Sequence, residues 1–213
     1  MSFKIVSALI TGNEGKRKEV ESILGNDKFT VINMKLDLPE LQSINVTEVI
    51  TEKIKSALTL AKEHFNEIKE KFKERGQTIS TINDVIIICE DTGLHIKDMN
   101  NFPGALIKFY YESVGNQGII NRDANSKAEI NCVVGIVKNG KIVKPIVGKV
   151  KGKISSKLLG ETGFGWDPVF IPDLSKSKFK NYNGKTYAEL DANIKDKISH
   201  RYIAFNKLRE KLL

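Results

Sequence analysis

Apolar residues along this chain come in three rhythms: short unbroken runs near the start, helical spacing after residue 46, and strict alternation after residue 127. Lys4 to Ile10 reads as a short buried strand entered directly from Met1-Ser2-Phe3, and Lys16 to Leu24 as a helix with Val20, Ile23 and Leu24 on one face. Thr30 to Lys35 predicts a second strand, leading into Asp37-Leu38-Pro39-Glu40. Val46, Val49, Ile50, Ile54, Ala57, Leu58, Ala61, Phe65, Ile68 and Phe72 then recur at the spacing of one long helix. Its distal half, Lys62 to Arg75, is densely charged with mixed signs and predicts a solvated extension, with Glu67 and Lys71 placed for an i,i+4 pair. Gly76 to Asn83 is polar and reads as a loop. Val85 to Cys89 predicts a buried strand that stops at Glu90-Asp91-Thr92-Gly93, and Phe102-Pro103-Gly104 precedes a short helix from Ala105 to about Val114. Ile130, Cys132, Val134 and Ile136 alternate, Asn139-Gly140 marks a hairpin, and Lys141 to Ile154 supplies the return strands. The end is helical, with Tyr202, Phe205, Leu208 and Leu212 on one face. Neither a repeat nor a linker divides the chain. The pattern is α/β.

Composition narrows the class. A chain of 213 residues, 40% hydrophobic, can bury one or two real cores. No run reaches membrane-span length, and the start lacks the pattern of a signal peptide. Two cysteines, Cys89 and Cys132, sit inside apolar runs, which predicts buried thiols in a reducing, cytoplasmic setting. The net charge of +8 suits a small polyanion, a nucleic acid, or simply solubility. Most lysines are scattered singly between acidic residues and form no stripe, which keeps plain solubility in play.

Four stretches carry candidate chemistry. Thr11-Gly12-Asn13 and Lys16 lie at a strand-to-helix junction, where unpaired N–H groups and a cation suit phosphate. Glu90-Asp91, expected at the carboxyl end of a strand, suits Mg²⁺, with Glu40 able to join; capping of the following turn is the plainer alternative. Gly163-Phe164-Gly165-Trp166-Asp167-Pro168 presents an aromatic ring between glycines, suited to stacking on a base, or else forms a turn that buries Trp166. Ser199-His200-Arg201, with Lys195 a turn earlier, predicts fixed cationic donors at a helix start.

Together these stretches resemble the inosine triphosphate pyrophosphatase family, also called Ham1-like, and its eukaryotic branch most closely. The matching residues are Thr11-Gly12-Asn13 with Lys16 and Glu19, Leu38-Pro39-Glu40, Glu90-Asp91-Thr92-Gly93-Leu94, Pro103-Gly104 through Ile107-Lys108, Gly163 to Pro168, Thr186-Tyr187-Ala188-Glu189 and Ser199-His200-Arg201. They span nearly the whole chain in family order. The stretch 62–83 is longer than most members have, 175–184 also looks inserted, and Ala105-Leu106 replaces a common aromatic.

The resemblance implies one domain over residues 1–213: an elongated, two-lobed mixed sheet with flanking helices and a central cleft, usually a homodimer. It implies hydrolysis of ITP, dITP and XTP to the monophosphate and pyrophosphate with Mg²⁺, or Mn²⁺ as substitute. Glu40 and Asp91 would hold the metal, with Asp91 also the general base. Thr11, Gly12, Asn13, Lys16, Lys53, Thr92 and Lys108 would meet phosphate. Phe164, Gly165, Trp166, Asp167, Lys195, His200 and Arg201 would line the base and sugar pocket. The alternatives are a broad-specificity NTP pyrophosphatase and a non-catalytic nucleic-acid-binding protein; the latter lacks the expected aromatic–basic sheet motif. Neither a membrane nor a nucleic-acid partner is expected.

Overall fold

A computed structural model describes residues 4–25 and 28–213. The expected entry from Met1-Ser2-Phe3 lies outside the described residues. Strand β1 (Ile5–Ile10) leads into helix α1 (Glu14–Leu24), β2 (Phe29–Met34), α2 (Val46–Glu63) and α3 (Phe65–Glu74). Then follow β3 (Ile86–Ile96), β4 (Pro103–Gly104), α4 (Ile107–Asp123), β5 (Lys127–Lys138), β6 (Lys141–Ile154), β7 (Phe170–Pro172), α5 (Ala192–Ile198) and α6 (His200–Leu212). The sheet runs β2-β1-β3-β5-β6-β7, with β4 added against β3. β2, β1 and β3 are parallel, whereas β3, β5, β6 and β7 pair antiparallel. The hairpin turns at Asn139-Gly140 as the sequence predicts, with φ of 52° and 70°.

Alternation along β3 assigns its side chains to opposite faces. Ile87 and Cys89 pack with Ile50, Ile54 and Ala57 of α2; Ile86 and Ile88 pack with Val20 of α1 and Phe205 of α6. Further along, Leu94 and Ile96 join a separate core with Ile130, Phe170 and Tyr187. The long strands β3, β5 and β6 therefore carry two hydrophobic regions, and Glu90 to Gly93 form a polar waist between them. The last helix returns to the first region, where Ala204, Phe205 and Leu208 join its core.

Two expectations need correction. β3 does not stop at Cys89; it continues through Glu90 to Ile96, because β5 pairs with it from Ile87 to Ile96. β1 pairs with β3 only as far as Leu9 opposite Ile88, so Glu90 still lies just past the carboxyl end of the parallel part. The long helix is two, broken at His64. The second is no mere solvated extension: Ile68 and Phe72 are fully buried in the core shared with β2, although Glu67 and Lys71 do pair at 3.7 Å on its outer side. The helix after Pro103-Gly104 does break after Val114 as expected, at the non-helical Gly115, and a second helical stretch that the pattern did not predict continues α4 to Asp123.

Candidate active site

A cleft of about 780 Å³ opens at the polar waist. It is lined by every residue to which the resemblance gives a site role: Thr11, Gly12, Asn13, Lys16, Glu40, Lys53, Asp91, Thr92, Lys108, Phe164, Gly165, Trp166, Asp167, Lys195, His200 and Arg201.

One end is built on the β1–α1 junction. Asn13 is the N-cap of α1, its side chain accepting from the Lys16 N–H at 3.0 Å, as a capping Asn does. The Thr11 hydroxyl accepts from the Asn13 N–H at 3.1 Å, which leaves its own hydrogen to donate. The cap sets the first turn so that Lys16 reaches across to β3. Its ammonium lies 2.8 Å from Glu90 Oε1 and 3.4 Å from Asp91 Oδ1. Burial would depress the Lys16 pKa, but the two carboxylates outweigh it and raise it. Asp91 Oδ1 also accepts its neighbour's N–H, from Thr92, at 2.8 Å. Lys53, buried on α2, pairs with half-exposed Glu40, and Lys108 is exposed at the start of α4. Burial raises the Glu40 pKa, yet Lys53 more than offsets it and the net shift is downward.

Glu90 is the group whose role sequence reasoning missed. Its side chain is 1% exposed, with Lys16 at 2.8 Å, Arg201 at 3.6 Å and the Thr92 hydroxyl at 3.2 Å. Burial pushes its carboxyl up, and the charges of Arg201 and Lys16 more than reverse this, holding it far below the usual carboxylate range. The signal was parity: Glu90 shares the face of Ile86 and Ile88, towards α1 and α6, while Asp91 shares that of Cys89. Glu19 was also underrated. From α1 it accepts from Lys195 at 2.7 Å and pairs with Arg201, so two buried cations at the far end are neutralised from the first helix.

That far end is the loop from Gly160 to Asp167. Asp167 Oδ2 accepts both the Phe164 N–H and the Lys195 ammonium at 2.7 Å. A Cβ on Gly163, where φ is +80°, would stand 2.1 Å from the same oxygen, so the turn closes only around glycine. Burial raises the Asp167 pKa, and Lys195 offsets only part of it. Phe164 sits with the Lys195 ammonium 4.8 Å and the Arg201 guanidinium 5.9 Å from its ring centroid, within cation–π range. Its edge rests on Gly15, where a Cβ would meet the ring at 3.0 Å. Trp166 is half-buried against the second hydrophobic region, so the turn shelters part of the indole and leaves Phe164 exposed.

His200 departs from expectation. It is 4% exposed, and burial, with Arg201 alongside, pushes its pKa down to about 3. It is a neutral imidazole, not a cationic donor, and neither ring nitrogen has a partner among the described residues. Arg201 remains the cation, with its Nε also unpartnered among them.

The Ham1 family matches residues 7–211 of this sequence. The chain belongs to the Ham1 family. A relative from the archaeon Methanopyrus kandleri, named dITP/XTP pyrophosphatase, is 33% identical over 203 residues, covering 94% of this chain and 92% of that one. A relative from Scheffersomyces stipitis, named inosine triphosphate pyrophosphatase, is 35% identical over 218 residues, covering 96% of each. Among solved structures, a HAM1 protein from Coxiella burnetii superposes with a TM-score of 0.69 at 22% identity over 98% of both chains, a likeness of fold.

Proposed function

We propose that this Ham1-family chain hydrolyses deaminated purine nucleoside triphosphates, ITP, dITP and XTP, to the monophosphate and pyrophosphate, and so clears them from the nucleotide pool. The observation that carries this is the polarity of one cleft. Lys16, Lys53 and Lys108 line it together with the carboxylates of Glu90 and Asp91, and Phe164, His200 and Arg201 line the same cleft. The names of the two relatives point the same way.

In this reading the lysines and the turn at Thr11 to Asn13 take phosphate oxygens, and Phe164 stacks on the purine. Asp91 orients a water in line with the α phosphorus and accepts its proton. The water oxygen bonds to that phosphorus as the bond to the bridging oxygen breaks, and pyrophosphate leaves. Glu90 holds Lys16 and Arg201 in place. Glu40 and Asp91, two carboxylates that face the same cleft, would hold Mg²⁺, or Mn²⁺ in its stead. That is the donor set expected when an ion keeps most of its waters and takes substrate oxygens. Its contribution when bound is neutralisation of charge on the departing pyrophosphate.

Base selection follows from donors. Arg201 Nε and a neutral His200 ring leave N–H groups to meet a carbonyl at the purine 6-position, while an amino group there would face donors.

Among the described residues no helix is long and apolar enough to cross a membrane. We place the protein in the cytoplasm, where its free thiols Cys89 and Cys132 stay reduced. We read it as a homodimer of one-domain, two-lobed chains, with exposed Leu41, Ile44 and Phe109 as apolar contact surface, a state that light scattering reads directly. The activity is tested with a panel of triphosphates and Mg²⁺. Pyrophosphate from ITP and XTP but not from ATP supports the reading. Equal release from every base would make it a general NTP pyrophosphatase, and orthophosphate or no product would refute it.

A further inference from the structure

Helix α4 is interrupted at Gly115, where φ of 64° and ψ of 178° fall in a region essentially reserved for glycine. A Cβ there would meet nothing within 4 Å, so the backbone conformation demands the glycine, not a lack of space. The break hands the chain to Asn116, whose Nδ2 donates to the Gly165 carbonyl at 3.1 Å, 49 residues further along. The other end of that amide, Oδ1, is buried without a partner among the described residues. A buried acceptor left unpaired costs stability, so fold stability alone does not account for an Asn at this place. Its nitrogen does have a task. Gly165 follows Phe164 directly, and Phe164 is held on its other side by its own N–H to Asp167 at 2.7 Å. Two hydrogen bonds therefore bracket the ring, one from its own loop and one from α4. The same helix begins at Ile107-Lys108, at the phosphate end of the cleft.

We propose that Asn116 is a positioning residue for base recognition: it fixes the turn at Gly165 and thereby the plane that Phe164 offers to a purine. The inference rests on the reading of the Phe164 end as the base pocket. Asn116 does not line the cleft and acts only through the Gly165 carbonyl. It governs how the base is held and leaves phosphate binding alone.

The test uses the full chain with Asn116→Ala and Asn116→Asp. The second keeps the size of the side chain but sets a carboxylate against a carbonyl. Asn116→Ser serves the same purpose should either fail to fold, and thermal melting checks folding in each. Trp166 is the chain's single tryptophan and neighbours Gly165, so its quenching by acrylamide reports the loop without reference to activity. The expected result is easier quenching and a KM for ITP raised about three- to tenfold, the scale of one hydrogen bond. Inhibition by inorganic tripolyphosphate, which has no base, should be unchanged. In a Phe164→Ala background, Asn116→Ala should add no further rise in KM, as expected for two residues acting as one unit. Unchanged quenching and KM, a tripolyphosphate constant that moves with KM, or additive effects with Phe164→Ala would each overturn the inference. A wild-type protein that releases no pyrophosphate from ITP would instead sink the functional reading beneath it.

Discussion

Lys16 is the side chain on which the electrostatics of the cleft converge, since it faces both Glu90 and Asp91 while capped α1 holds its stem. Lys16→Gln should remove most ITP turnover and also destabilise the fold by about 3 kcal/mol in urea unfolding, because Glu90 would remain buried with one cation fewer. Asp91→Asn isolates the chemistry. It keeps shape at a partly exposed position, so turnover should fall at least about a hundredfold with the melting temperature preserved. Near-normal turnover in that folded variant would remove Asp91 from its role. His200 provides a pH signature. Its pKa is about 3 folded against 6.5 unfolded, so between those values the unfolded chain binds the extra proton. The contribution is complete above pH 6.5 and shrinks as the pH falls towards 3. Wild type should therefore lose about 2 kcal/mol between pH 7 and pH 5, a loss that His200→Gln should largely abolish. An identical pH profile in the variant would mean that the imidazole is not held neutral.

The elements show what local pattern can and cannot reveal. The β5–β6 hairpin was legible because Asn139-Gly140 and alternating apolar residues are local signals that agree. Residues Glu90 to Gly93 read wrongly as a strand end because adjacent carboxylates are costly inside a sheet. Their compensation comes from Lys16 and Arg201, 74 and 111 positions away in the numbering, where no local window sees it. The break at Gly115 was legible as the end of a helix at about Val114, whereas the helical stretch beyond it to Asp123 was not. In α3 the charged residues masked a two-residue anchor. Phe72→Ala should cost about 3–5 kcal/mol, the range for emptying a buried aromatic site. Replacing Lys62, Lys69, Lys71 and Lys73 together with glutamine should leave ITP turnover nearly unchanged, because those charges are solvated and screened. A loss of turnover with the four lysines would mean that this helix serves the substrate after all.

On the scale of the molecule, three long strands tie two hydrophobic regions together and leave the polar stretch of β3 between them, so the cleft is a consequence of how the sheet is shared. Each motif was readable alone, and the site residues assembled as their order suggested. What the sequence could not show is that α1 supplies both ends: Lys16 to the carboxylates, and Glu19 to Lys195 and Arg201 beside Phe164. In the proposed function that shared helix would hold the phosphate and base positions in one fixed relation. The most direct test is product analysis with purified protein, Mg²⁺ and ITP or ATP at equal concentration. The account predicts IMP and pyrophosphate in equal amounts from ITP and far slower release from ATP. Orthophosphate as the product, or ATP cleaved as fast as ITP, would contradict it.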